Sequence, residues 1–107
     1  MLLRLVYVSH LSDDVSQEKL DGIVDRSRVR NERDHVTGML AVDGRRVLQV
    51  LEGPPEAVGR LYSRICEDER HRDVVEIDRR MVETRHFGDW GMVRRSMVDV
   101  VVQAMTL

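Results

Sequence analysis

Residues 35–53, "HVTGMLAVDGRRVLQVLEG", decide the fold. Two β-rich runs flank Asp43-Gly44, a dipeptide suited to the type I′ turn that joins tightly paired antiparallel strands. In the second run alternate side chains share a face, so Val47, Gln49 and Leu51 point one way and Leu48 and Val50 the other. Both faces are apolar, and Gln49 is buried whichever of them turns inward. A primary amide has donors and an acceptor to satisfy, and leaving such groups empty costs on the order of 1–3 kcal/mol. The rest of the chain must supply a partner for Gln49.

Outward from the hairpin, "LLRLVYV" (residues 2–8) reads as a first strand with Leu3, Leu5 and Tyr7 on one face and Arg4 on the other. "SHLSDDVSQEK" supplies turn and N-cap candidates. From Ser16 to Asn31, Leu20, Ile23, Val24 and Ser27 fall at i, i+3, i+4 and i+7, the stripe of an amphipathic helix. After the hairpin, Pro54 and Pro55 suit the start of a second helix over 55–69 that buries Val58, Leu61, Tyr62 and Ile65. "RHRDVVEIDRRMV" gives a fourth strand and "GDWGMV" leads into a fifth. The order β-α-β-β-α-β-β predicts an α+β, ferredoxin-like fold: a five-stranded mixed sheet with two helices on one face. The right-handed crossover makes the first two strands parallel, with the third between them. Tyr7 and Gln49 then lie side by side, facing the helices. Residues 1–95 read as one domain. Residues 96–107, "SMVDVVVQAMTL", form a short C-terminal segment, strand or short helix, that caps the sheet or dimerises.

The composition narrows the function. At 107 residues, 42% apolar, the chain fits one small core. Its 34% charged residues are mixed in sign and sum to −2, which argues against a nucleic-acid-binding module. No stretch approaches a membrane-spanning length, and the apolar opening is broken by Arg4 without the features of a signal peptide. The single cysteine, Cys66, rules out an internal disulfide framework and a CxxC metal site, and the setting expected is the cytoplasm. The four histidines have no metal-ligand spacing, so no metal is expected. An acylphosphatase-like hydrolase on this topology needs a phosphate-cradling loop after the first strand. "SHLSDDVSQ" has no glycine and two acids, so the chain does not read as an enzyme.

Tyr7, Gln49, the end of the first helix ("SRVRN") and the last turns of the second ("SRICEDERH") share the helix-covered face. A planar heterocycle between the helices, walled by Ile23 and Ile65 with its polar edge on Asn31 and Gln49, satisfies the amide. Beyond that point the motifs speak as a set. "LVYVS", "SRVRNERDHVTGML", "LQVLEG", "RICEDERH" and "RHFGDWGM" resemble, in order and spacing, those of the blue-light-sensing FAD (BLUF) domains over about residues 2–95. The resemblance implies a blue-light photoreceptor holding an oxidised flavin non-covalently, FAD by family habit, with FMN or riboflavin as the other fillers. In that reading Tyr7 is the phenol that gives up an electron and a proton, and Gln49 bridges it to the flavin. Asn31 bonds the ring's polar edge and Ile23 and Ile65 pack on its faces. Arg64, Asp68, Arg70 and His71 lie toward the pyrimidine edge and ribityl side. Ser27, Trp90 and Met92 report or transmit the change at Gln49. Arg30 stands where the family often has Asn or His beside the flavin.

Two further expectations follow. Without a ligand, Gln49 is a structural amide bonded to backbone or to Tyr7, Cys66 a buried small residue, and the chain a flavin-free ferredoxin-like interaction module. The sheet face away from the helices carries Leu2, Val6, Val8, Leu48 and Val50, an apolar surface that predicts a homodimer with Arg4 at its rim. No effector domain is recognisable, so the light signal is expected to leave through a downstream protein partner or the oligomer.

Overall fold

In the computed structural model, which describes residues 1–87 and 93–95, Thr37–Asp43 (β2) and Arg46–Gly53 (β3) pair antiparallel around Asp43-Gly44. Gly44 takes φ 61°, a left-handed conformation cheap only for glycine. Gly38 answers a different need: a Cβ there would lie 1.9 Å from the Val50 carbonyl oxygen. Leu2–Leu11 (β1) pairs antiparallel with β3, and His71–Val82 (β4) pairs antiparallel with β1. Gln17–Arg33 (α1) and Pro55–Glu67 (α2) are the two helices.

The sheet order is β4-β1-β3-β2, followed by Val93–Arg95 (β5), which runs parallel to β2. These first six elements are the α+β arrangement read from the sequence. Of the five strands expected, four are long and antiparallel; among the described residues the fifth pairs over three, opposite Met39, Leu40 and Ala41. Trp90, Met92 and the 96–107 segment lie outside the described residues.

Local chemistry fixes the helix ends. The Ser16 hydroxyl accepts from the Lys19 N–H at 3.1 Å and opens α1. His35, at φ 60°, ends its C-terminal turn, and the Asp34 and His35 N–H groups return to the Arg30 and Glu32 carbonyls. β1 runs three residues past the expected strand because the Leu11 N–H donates to the Arg45 carbonyl at 2.7 Å and the Leu11 side chain is buried. Arg45 in turn donates to the carbonyls of Ser12 and Asp13, tying the loop before α1 to the hairpin turn.

Leu3, Leu5, Tyr7, Leu20, Val24, Val47, Leu51, Val58 and Leu61 form the core under the helices. The opposite face differs from the expectation of an open apolar surface. Val6, Met39, Ala41, Leu48 and Val50 are buried there with Phe87, which is wholly enclosed. The premise of the predicted dimer, an uncovered patch on this face, therefore fails for Val6, Leu48 and Val50.

Arg4 is not at a rim either. It is buried, and its Nε donates to Glu52 Oε2 at 2.9 Å. The fully buried Glu52 carboxylate also accepts from the backbone N–H groups of His86 (2.9 Å) and Phe87 (2.8 Å). Arg85 adds donations to Thr37 Oγ1, the Glu52 carbonyl and the His35 carbonyl. A buried pair persists when its remaining acceptors are filled, as here. Cys66, expected in the core, is exposed.

Candidate functional site

The register of β1 on β3 sets Tyr7 directly opposite Gln49, with Leu40 of β2 on the other side of Gln49. Both side chains point toward the helices and both are buried, Tyr7 to 3% and Gln49 to 6% exposure. The Tyr7 hydroxyl donates a hydrogen bond to Gln49 Oε1. One end of the amide is thereby satisfied by the phenol, which turns its NH₂ end away from Tyr7. Burial pushes the Tyr7 phenol far above its ordinary pKa, so it is a neutral donor throughout the physiological range.

In front of this pair a cleft opens between α1 and α2, with a cavity volume of about 170 Å³. Leu20, Ile23 and Val24 of α1 and Leu61 and Ile65 of α2 make apolar walls. Gln49 and the buried Asn31 lie on the polar side, with Ser27 and Arg30 beside Asn31 on α1. Arg64, Asp68, Arg70 and His71 line the cleft at the end of α2 and the start of β4.

Asp68 and Arg70 form a bidentate pair that also uses the Arg70 backbone N–H at 3.0 Å. The hydrogen bonds from Arg70 hold the Asp68 carboxyl below its usual range. At His71, Ile65's carbonyl accepts from Nε2, which leaves Nδ1 to receive the Ser9 hydroxyl at 2.9 Å. The Tyr7 ring lies edge-on to His71 at 6.3 Å and tilted to Tyr62 at 5.6 Å.

The structure thus brings eleven sequence-selected residues to one cleft: Tyr7, Ile23, Ser27, Arg30, Asn31, Gln49, Arg64, Ile65, Asp68, Arg70 and His71. Sequence reasoning missed Leu11, Leu40 and Val47 as further lining, and Ser9 as the partner of His71. Strand parity was an available signal for Ser9, which shares a face with Tyr7 and Leu11.

Residues 2–93 match the family model described as sensors of blue-light using FAD. The chain belongs to the BLUF family. It is 38% identical over 109 residues to the blue light- and temperature-regulated antirepressor BluF of Escherichia coli, covering 98% of this chain and 27% of that protein. Among solved structures it superposes on the BLUF protein BlrB in its dark state with a TM-score of 0.85 at 32% identity, covering 99% of this chain and 80% of that one. A bacterial light-regulated adenylyl cyclase gives a TM-score of 0.87 at 30% identity, over 99% of this chain and 34% of that one. The chain spans about a quarter of the antirepressor and about a third of the cyclase. Among the described residues no helix is long and apolar enough to cross a membrane.

The BLUF cleft suits a flavin on its own chemistry. A tricyclic ring needs two flat apolar walls a helix pair apart, and donors and acceptors along one edge. Ile23 with Ile65, and Asn31 with Gln49, are of those kinds and line one cavity.

Proposed function

We propose that this BLUF domain is a blue-light switch in which the Tyr7–Gln49 hydrogen bond is the moving part, residues 1–95 being the flavin-binding unit. The observation that carries the reading is the phenol-to-amide bond buried at the edge of an apolar cleft. Asn31 and Gln49 would hold the ring's polar edge, Ile23 and Ile65 its faces, and Arg30, Arg64, Asp68, Arg70 and His71 the rest of the molecule. A bound oxidised flavin, FAD by family, supplies blue-light absorption and, when excited, a strong one-electron acceptor.

The chain's own part is proton and hydrogen-bond work. In the dark the Tyr7 O–H fixes the orientation of Gln49 by donating to its oxygen. Once Tyr7 yields an electron and that proton, Oε1 loses its donor and the amide is free to rotate or tautomerise. The two ends of an amide differ in hydrogen-bonding sense and hardly in size, so the exchange needs no repacking of β3. One altered hydrogen bond is worth about 1 kcal/mol net, enough to bias a two-state element. Ser27, Trp90 and Met92 are the groups proposed to carry the change onward.

The output is protein-mediated, to an effector or partner of the kind the relatives' names indicate, rather than a reaction of this domain. A cytoplasmic setting accords with such partners. A homodimer through the face opposite the helices and the C-terminal segments is a second proposal, resting on the half-buried Leu2 and Val8 because Val6, Leu48 and Val50 are covered.

Flavin content is the test. The purified protein is expected to be yellow, with one flavin per chain released intact on denaturation. A colourless protein that takes up no FAD, FMN or riboflavin contradicts the proposal and leaves a flavin-free interaction module.

A further inference from the structure

The sequence holds two tyrosines, and the fold puts them in contact. Tyr62 lies on α2 with its ring centroid 5.6 Å from that of Tyr7 at an interplanar angle of 48°. That distance is within the 4.5–7 Å span of contacting aromatic pairs. Nothing in the proposed switch uses Tyr62. We propose that Tyr62 is a second redox-active tyrosine, which returns an electron to oxidised Tyr7 and so carries the oxidising equivalent from the cleft to the surface of α2. The inference rests on the photochemical role given to Tyr7 above.

The two phenols stand in different surroundings. Tyr7 is sealed in the core, with its hydroxyl committed to Gln49. Tyr62 is half-buried and lines an outer groove with Arg60, Ser63, Arg64 and Arg79. Burial and a hydrogen bond with Cys66, one helical turn on, push the Tyr62 phenol up to about 12, so it too is protonated at rest. Its proton, unlike that of Tyr7, has an outlet, because Tyr62 is half-buried on a groove that solvent reaches. A phenol that can shed its proton is the easier one to oxidise. The equivalent therefore moves downhill, outward from Tyr7 to Tyr62.

The step balances. One electron passes from Tyr62 to oxidised Tyr7 across the ring contact. The Tyr62 phenolic proton goes to water, and the Tyr7 oxygen takes back through Gln49 the proton it gave up in the light step, so that the net electron donor is Tyr62. The photoexcited flavin is the only oxidant required. Each excursion to Tyr62 is diverted from the switch, so this path lowers switching yield and sets where photo-oxidative damage appears.

A blue-light flash on the flavin-loaded protein, with the tyrosyl radical followed by transient absorption and by freeze-trapped EPR, tests this directly. Having two tyrosines makes assignment by substitution clean. The wild type is expected to show a fast and a slow tyrosyl decay, and Tyr62→Phe, which keeps the ring, to lose the slow phase and gain switching yield. A slow phase that survives in Tyr62→Phe overturns the relay. A wild type with only the fast phase overturns it as well, while leaving the Tyr7 switch in place. No tyrosyl signal at all contradicts the photochemistry of Tyr7 and the relay with it. Should Tyr62→Phe fail to fold, a nitroso spin trap present during illumination of the wild type gives a second reading. Peptide mass spectrometry is expected to place the adduct on Tyr62, and its absence there overturns the proposal.

Discussion

Gln49 and Glu52 lie three residues apart on one strand, point to opposite faces of the sheet, and are both buried. Gln49 faces the cleft and holds a neutral hydrogen bond with Tyr7. Glu52 faces away and is saturated: Arg4 on one oxygen, and two backbone N–H groups of the chain before β5. Both solve the problem of a polar group in an apolar layer, with opposite mechanical consequences. A neutral amide can exchange donor for acceptor at small cost. A carboxylate held by a guanidinium and two amides cannot let go without exposing a buried charge. One strand therefore carries both the neutral amide on which the proposed switch rests and a charged group that stays fixed.

The comparison breaks most violently at the fixed side. Glu52→Ala leaves Arg4 buried without its counter-charge and two N–H groups without acceptors. The expected loss is about 3–5 kcal/mol, read from urea unfolding followed by circular dichroism. A loss below 1 kcal/mol would mean that water replaces the carboxylate and that Glu52 is no anchor. Next comes the close approach that lets β2 and β3 pair. Gly38→Ala drives a Cβ into the Val50 carbonyl, a backbone atom that cannot swing aside. We expect a cost of about 1–3 kcal/mol or more, by the same measurement.

On the switching side the expected structural cost is smaller. Tyr7→Phe removes one hydrogen bond and should lower stability by about 1 kcal/mol while leaving the fold intact. The least effect is expected at the mouth of the cleft. Asp68→Asn breaks a partly exposed pair, worth under about 1 kcal/mol. Its pH sign is fixed: the folded-state pKa of Asp68 is lowered, so its contribution is present above the unfolded carboxyl pKa and fades as pH falls through the folded value. The difference between wild-type and Asp68→Asn stability should therefore shrink in acid, and a difference that grows on acidification contradicts the assigned pair.

Much of this frame was legible because it rests on local chemistry and period. Asp43-Gly44 fixes the hairpin, alternation in β3 sorts its two faces, and the i, i+3, i+4 spacing in α1 and α2 identifies their cleft-facing sides. Tyr7 opposite Gln49 then follows from topology. What escaped the sequence depended on pairings distant along the chain. Arg4 looked like a rim charge because its partner stands 48 positions away. The face opposite the helices looked open because Phe87, which packs against it among the described residues, stands outside any periodic stretch. The end of β1 was placed three residues early because Ser9 and His10 are polar, yet Ser9 is buried by its bond to His71.

The central claim is that Tyr7 and Gln49 together make the switch, and a blue-light difference spectrum of three flavin-loaded proteins tests it most directly. The wild type is expected to show a small red shift of the flavin bands that reverses in the dark. Tyr7→Phe and Gln49→Leu are expected to bind flavin and show no such shift. A normal, reversible red shift in either variant would contradict the account.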